Sequence, residues 1–265
     1  MKKIVYILTV AVLFISCDNT EKRARERVAR AASMIEAGEL NGAKIELDSV
    51  HILYPREVAV RREAKYLQDS IIFIEAQRTL AYSDSLLQPL FPQVDDLMKH
   101  FKHEKQEKYE DNERYVHQLL PTNRNAQRCF LQCYVNSVFE LTLKSYYYGQ
   151  TEIRHEDVEI SNGTVEVRES GHLHSFEAEG WHEITTLSEK ESLTLLAFVS
   201  QYKTSRLRVT LYGRRGRYAY YLQDSEKTAL EETYQLAVLM KDIHRLEQQM
   251  NIARKQIERW QTRKS

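Results

Sequence analysis

From Leu236 to Trp260 an apolar residue recurs every three or four positions: Leu236, Leu239, Ile243, Leu246, Met250, Ala253, Ile257 and Trp260. Steps of three and four line side chains along one stripe of a helix, and a stripe of this length is covered by another helix rather than left in water. The chain therefore calls for a long helix from about Ser225 to Arg263 and for a partner of matching length. A matching pattern lies between Arg56 and Leu87, where Val60, Ala64, Leu67, Ile71 and Ile74 keep the same step, followed by Arg78, Ala81 and Ser85. Antiparallel pairing of these two helices within the chain is the economical arrangement, and pairing between two chains uses the same seam.

Two shorter helices precede them. Glu21 to Ala37 carries Ala24, Val28, Ala31, Ala32 and Ile35 at helical spacing, Gly38 interrupts, and Leu40 to Leu53 places Leu40, Ala43, Leu47 and Val50 on one face, with Leu53 or Tyr54 continuing it. Pro55 ends the second helix, because proline disfavours helical geometry in the residue before it. The run Glu36-Ala37-Gly38-Glu39-Leu40, with Ala43 and the closing Tyr54-Pro55, resembles one tetratricopeptide-type unit. That resemblance implies two antiparallel helices. No second copy follows, and a single hairpin cannot bury its own face, so it packs on something else.

Pro89 and Pro92 stop the Arg56–Leu87 helix, and a short helix follows with Val94, Leu97, Met98 and Phe101. Lys102 to Glu113 is almost wholly charged or polar and reads as a solvated helix extension or a link. After Pro121 the pattern changes. Cys129–Val135 and Phe139–Tyr148 are rich in aromatic and branched residues, residues 158–167 alternate around Asn162-Gly163 as a hairpin with a two-residue turn, and Phe176–Thr186 alternates again. Ser188 with Glu191 forms a capping box ahead of a helix over about 189–201, and Leu207–Tyr212 with Tyr218–Leu222 makes a second hairpin across Gly213–Gly216. The expected fold is α+β: a helical domain over 17–120 with the hairpin and the long helix, a mixed β domain of about six strands and one helix over 121–224, and a coiled-coil-type helix over 225–265 packing on the helical domain.

The amino end sets the compartment. Lys2 and Lys3 precede twelve residues, Ile4 to Ile15, that are apolar except for Tyr6 and Thr9. This run is too short for a membrane-spanning helix, which needs about 20 apolar residues, and it has the layout of a secretory signal. Leu13-Phe14-Ile15-Ser16-Cys17 resembles the lipobox of bacterial lipoproteins. The resemblance implies a signal peptide over 1–16 cut before Cys17, acylation of that thiol, palmitate among its chains, and an anchor in a cell membrane or outer membrane with the body periplasmic or surface-exposed. Loss of residues 1–16 turns 38 Lys+Arg against 38 Asp+Glu into 36 against 38, a net charge of −2. That balance gives no reason to expect nucleic acid as a partner. With 42% hydrophobic and 29% charged residues the chain is able to bury a core. The overall plan looks like that of uncharacterised bacterial lipoproteins, from which no activity carries over.

Candidate chemistry is sparse. Cys129 and Cys133, about 13 Å apart if on a strand, are too far for a disulfide and read as small buried residues. His172, His174 and His182 form one group and His100 and His103 with Glu104 another, but neither supplies the three or four converging ligands that zinc needs, so no metal and no cofactor is expected. The residues contain no nucleophile elbow, phosphate loop or dinucleotide fingerprint, and no catalytic role is assigned. Two binding surfaces stand out. Trp181, Tyr218, Tyr220 and Tyr221 concentrate aromatics that stack on a glycan or anchor a protein, and Arg214, Arg215 and Arg217 make a basic tip suited to an anion. The leading expectation is a non-catalytic interaction or scaffold protein of the envelope. The alternative is a lipoprotein that binds glycan or another envelope ligand through its β domain.

Overall fold

The computed structural model describes residues 2–105, 113–120 and 127–264, and within them the side chains of 19–104, 113–120 and 127–263. The expectations for the signal segment and for Cys17 fall outside the described side chains. The fold is α+β, built as two units: one from Met1–Leu86 with Leu246–Ser265, the other from Leu87–Arg245. Among the described residues no helix is long and apolar enough to cross a membrane.

The first unit begins with helix α1 (Lys2–Glu36) and helix α2 (Leu40–Leu53). Gly38 turns the chain between them at φ +82°, a left-handed conformation that costs a residue with a Cβ about 1 kcal/mol or more. The amides of Gly38 and Glu39 close the end of α1 on the carbonyls of Ile35 and Met34, at 3.0 and 2.8 Å. Helix α3 (Val58–Leu87) follows Pro55. Ala24, Val28 and Ala31 of α1, Leu40, Ala43, Leu47 and Val50 of α2, and Val60, Ala64 and Ile71 of α3 form one buried cluster. Thr20 bonds Glu57 and Arg25 reaches Glu63, so α1 and α3 run the same way with α2 antiparallel to both. The end of helix α6 (Asp224–Lys264) completes the unit. Ser83 meets Gln249, Asp69 meets Arg263, and Tyr66 and Phe73 lie 5.0 and 5.9 Å from the Trp260 ring, a descending order that fixes α3 and α6 as antiparallel.

The structure corrects the partition of α3. Its Val60–Ala64–Ile71 seam is spent on the α1–α2 hairpin, and α6 packs against a different face carrying Tyr66, Phe73 and Ser83. One helix with two apolar sectors thus serves two partners, and its first seam gives way to Arg78, Ala81 and Ser85 toward its end.

The second unit opens with helix α4 (Leu90–Met98), where Pro92 is tolerated in the first turn. Among the described residues ten strands follow in two antiparallel sheets: β1 (Phe101–Lys105), β2 (Glu113–His117), β3 (Phe130–Asn136), β4 (Leu141–Gly149), β5 (His155–Ser161), β6 (Glu166–Ser170), β7 (His172–Glu177), β8 (Trp181–Thr186), β9 (Arg208–Gly213) and β10 (Gly216–Tyr221). The orders are β1-β2-β3-β4-β8-β7 and β10-β9-β5-β6. Helix α5 (Glu189–Gln201) buries Leu195, Leu196 and Val199 against the strands, and Ser192 Oγ accepts the Leu143 N–H at 2.9 Å. The core gathers Leu131, Cys133 and Val135 of β3, Leu141 and Leu143 of β4, Val158 and Ile160 of β5, and Val209 and Leu211 of β9.

Four further expectations are corrected here. Residues 102–105 and 113 belong to paired strands, not to a helix extension, with Phe101 opposite His117 and Lys105 opposite Glu113. Charge at the exposed edge of a sheet is a guard against aggregation, and it hid the strand character. Residues 106–112 lie outside the described residues. Among the described residues ten strands replace the expected six, because β1 and β2 lie in the charged stretch ahead of Pro121 and β7 is an edge strand whose inward residues are only half-buried, so its alternation is faint. Phe176–Thr186 is accordingly a hairpin, with Glu179 and Gly180 turning at φ +53° and +131°, and His172 and His174 sit on its first strand. The β5–β6 turn is longer than two residues, since Ser161 pairs with Glu166 and the Asn162 side chain accepts the N–H groups of Thr164 and Val165 at 2.9 Å each. Finally, α6 does not pack on helices alone: Ala229, Leu230, Leu236 and Ala237 enter the core of the second unit.

Candidate functional site

Strand β8 reads Trp181-His182-Glu183-Ile184-Thr185-Thr186, and the buried positions are His182, Glu183 and Thr185 while Ile184 is only half-buried. Glu183 is 0% exposed. A buried carboxylate survives only when fully bonded, and Glu183 accepts the N–H groups of Ile153, Arg154 and His155 at 2.7, 2.7 and 2.8 Å and the His155 ring at 2.8 Å. Arg154 sits at φ +58°, which turns successive amides toward one point and makes a small anion nest. Gly213 leaves room for this loop, because a Cβ there would meet the Ile153 carbonyl oxygen at 2.0 Å. Burial drives the Glu183 carboxyl upward, but the bonds from His155 and the three amides outweigh it and hold the carboxyl below the ordinary range.

The ionised Glu183 carries no hydrogen, so His155 donates to it from Nδ1, which leaves Nε2 as the other ring nitrogen to be accounted for. That Nε2 is buried and has no bonding partner. A carboxylate behind an imidazole is how enzymes hold a base or a metal ligand in the right tautomer. Here the Tyr147 ring lies 6.2 Å from the His155 ring, the Tyr218 ring 5.6 Å from that of Tyr147, and Nε2 is sealed from solvent. Cys129, half-buried nearby, accepts the Tyr148 N–H at 3.4 Å, and burial raises its thiol. The same carboxylate joins β8 of the six-stranded sheet to the start of β5 in the other, helped by the 2.5 Å bond from Thr185 Oγ1 to the His155 carbonyl.

A second cluster joins His100, His117 and Glu232. Glu232 Oε2 accepts from His100 Nδ1 and from His117 Nε2, both at 2.8 Å. Burial raises the Glu232 carboxyl, and the two imidazole bonds outweigh that effect and leave it below its ordinary value. The three groups converge as metal ligands do, but the Leu119 N–H donates to His117 Nδ1 at 3.1 Å. That bond places the lone pair on Nδ1 and the hydrogen on Nε2. A zinc-bound Nε2 needs the reverse, so these residues do not fit zinc and the cluster reads as a latch between β2 and α6. His103 and Glu104, expected beside His100, instead pair with Glu113 and Arg114.

The structure does not gather the anticipated aromatics into one platform. Trp181 is half-buried in β8, whereas Tyr218, Tyr220 and Tyr221 lie on β10 in the other sheet. Tyr218 and Tyr221 are 42% and 48% exposed and sit on opposite faces of their strand. Tyr221 carries the Arg206 guanidinium 3.8 Å above its ring, while the Tyr220 hydroxyl is buried and unpartnered. At the basic tip, Arg214 pairs with Glu156 and Arg215 with Glu152, and Arg217 is exposed. Cys129 and Cys133 are both free thiols, and burial pushes that of Cys133 up to about 12. His155, Glu183, His117 and Glu232 escaped sequence reasoning. For Glu183 the strand itself offers no signal, because Trp181-Glu183-Thr185 and His182-Ile184-Thr186 are equally mixed faces.

In the first unit, α2 turns Ile45 (68% exposed) and Ile52 (75%) outward, one heptad apart, with Leu53 (56%) and Val58 (61%) beside them in the chain. Comparison with protein-family models, with curated proteins and with solved structures finds no match.

Proposed function

We propose that this chain is a lipid-anchored protein of the cell envelope whose helical unit is a non-catalytic protein-interaction or scaffold module. The anchor rests on Lys2-Lys3, the short apolar run to Ile15 and Ser16-Cys17. The observation that carries the interaction reading is the outer face of α2. Leu40, Ala43, Leu47 and Val50 already bury one side of this helix, yet Ile45 and Ile52 stand in solvent on the other. Two branched apolar side chains at heptad spacing are the anchor pattern of a helix-in-groove or helix-on-helix contact.

Two measurements test it. Intact mass of protein from its native host is expected to show loss of residues 1–16 and a gain of acyl chains on Cys17; a bare or uncleaved chain overturns the anchor. A photo-crosslinking residue at position 52 is expected to give one discrete protein adduct in native membranes that is lost on Ile45→Asp. Absence of any adduct overturns the interaction role. The second reading, glycan binding, is favoured by the exposed Tyr218 and Tyr221 rings, and it requires saturable sugar binding that falls on Tyr218→Ala or Tyr221→Ala.

A further inference from the structure

The first unit carries a second exposed patch, at its α3–α6 seam. Gln256, Arg259, Trp260 and Arg263 share one side of α6 and line a cleft of about 180 Å³ with Asp69 and Ile72 of α3. Apolar surface stands open around it: Ile72 is 40% exposed, Tyr66 53% and Ile252 59%, and Ile252 falls on the same stripe of α6 one turn earlier. The charge there is one-sided. From Arg254 to Lys264 there are five Lys or Arg and one acid, Glu258. Asp69, the carboxylate in the cleft, is already paired with Lys65 at 2.8 Å and Arg263 at 2.6 Å.

We infer that this stripe rests on the anionic headgroup surface of the bilayer that holds the anchor. The inference depends on acylation at Cys17. Chain direction supports it, because α1 and α3 run together and α6 returns against them, so Thr20, three residues after Cys17, and the last turn of α6 both lie toward the end of the unit where α3 starts. From Val58 at the start of α3 to Tyr66 is about 12 Å at 1.5 Å per residue, so a unit lying along the membrane brings Tyr66, Trp260 and the arginines to headgroup level. Indole and phenol rings settle at that level, with their apolar bodies inward and their polar atoms wet, and exposed guanidinium groups find phosphate there. Ile72 and Ile252 supply the apolar edge such a contact needs, as in amphipathic helices that lie in the interface.

The chain has two tryptophans, so Trp181→Phe leaves Trp260 as the sole reporter. The full lipidated protein bearing that change is reconstituted into phosphatidylcholine vesicles with and without phosphatidylglycerol, each with and without brominated acyl chains. The expected result is a blue-shifted Trp260 emission quenched by brominated lipid, several-fold more strongly with phosphatidylglycerol present. Arg259→Gln with Arg263→Gln, or high salt, is expected to remove that difference while far-UV circular dichroism stays unchanged. Protein that floats with the vesicles while Trp260 escapes quenching overturns the inference and leaves the anchor standing. Quenching that ignores both phosphatidylglycerol and the arginines overturns the headgroup contact. Shielding of Trp260 from aqueous acrylamide without lipid quenching assigns the stripe to a protein neighbour instead. Protein that fails to float at all removes the anchor and this inference with it.

Discussion

Removing the Glu183 carboxylate leaves three buried backbone N–H groups and the His155 ring N–H without an acceptor. Losses of this kind run to about 3–5 kcal/mol, so Glu183→Ala is expected to lower the urea midpoint of the second unit steeply, with Glu183→Gln in between. The pH dependence has a defined sign. A carboxyl held below its ordinary value stabilises the fold fully above that value, 4.5 for a free glutamate, and the contribution drains away as pH falls through the depressed folded value. Thermal midpoints measured between pH 3 and 6 are expected to drop on the acid side for the natural chain and to flatten there for Glu183→Gln. The thiols offer a second residue-level check. Cys133, 0% exposed and with its thiol pushed up to about 12, is expected to resist iodoacetamide until the chain unfolds, while half-buried Cys129 reacts slowly in the native state. Sequence spacing spoke to the cysteines, whose separation argued against a disulfide, and was silent on Glu183. A buried charge is chosen by the loop that wraps it, and that loop is assembled from residues some thirty positions away.

Among the elements, helix boundaries were the most legible, because glycine and proline mark them chemically. The α2 span Leu40–Leu53 follows directly from Gly38 on one side and Pro55 on the other. Replacing Gly38 by alanine forces a Cβ into a left-handed turn and is expected to cost about 1 kcal/mol in denaturant titrations. Leu47→Ala empties a fully buried site between α1, α2 and α3, and a loss of about 2–5 kcal/mol is expected there, read by helical circular dichroism. Edge strands were the least legible. Strand β1 reads Phe-Lys-His-Glu-Lys, and nothing in those five letters announces a ladder. Its pairing is set by β2, where Arg114 bonds Glu104 across the strands and His103 packs 5.2 Å from Tyr115. The capping box at α5 came out altered: the Ser188 hydroxyl is held by the Glu191 carboxylate and makes no bond to the helix backbone.

For the whole molecule, the α+β class was readable from helical repeats beside strand alternation and turn residues, and the antiparallel match of the long helices from the helical repeat alone. The division of the chain was not, since α6 is one unbroken helix whose early residues enter the core of one unit and whose last turns complete the other. Ending the chain after Arg245 is expected to leave the β transition in place and to lower the melting of the helical unit, as hydrogen exchange in α3 measures it. The first unit is discontinuous: Leu87–Arg245 stands between its two pieces. Ribosomes make chains in one direction only. The opening three helices are therefore synthesised well before the segment that closes over Tyr66 and Phe73, and during that interval those rings belong to any chaperone or protease that meets them.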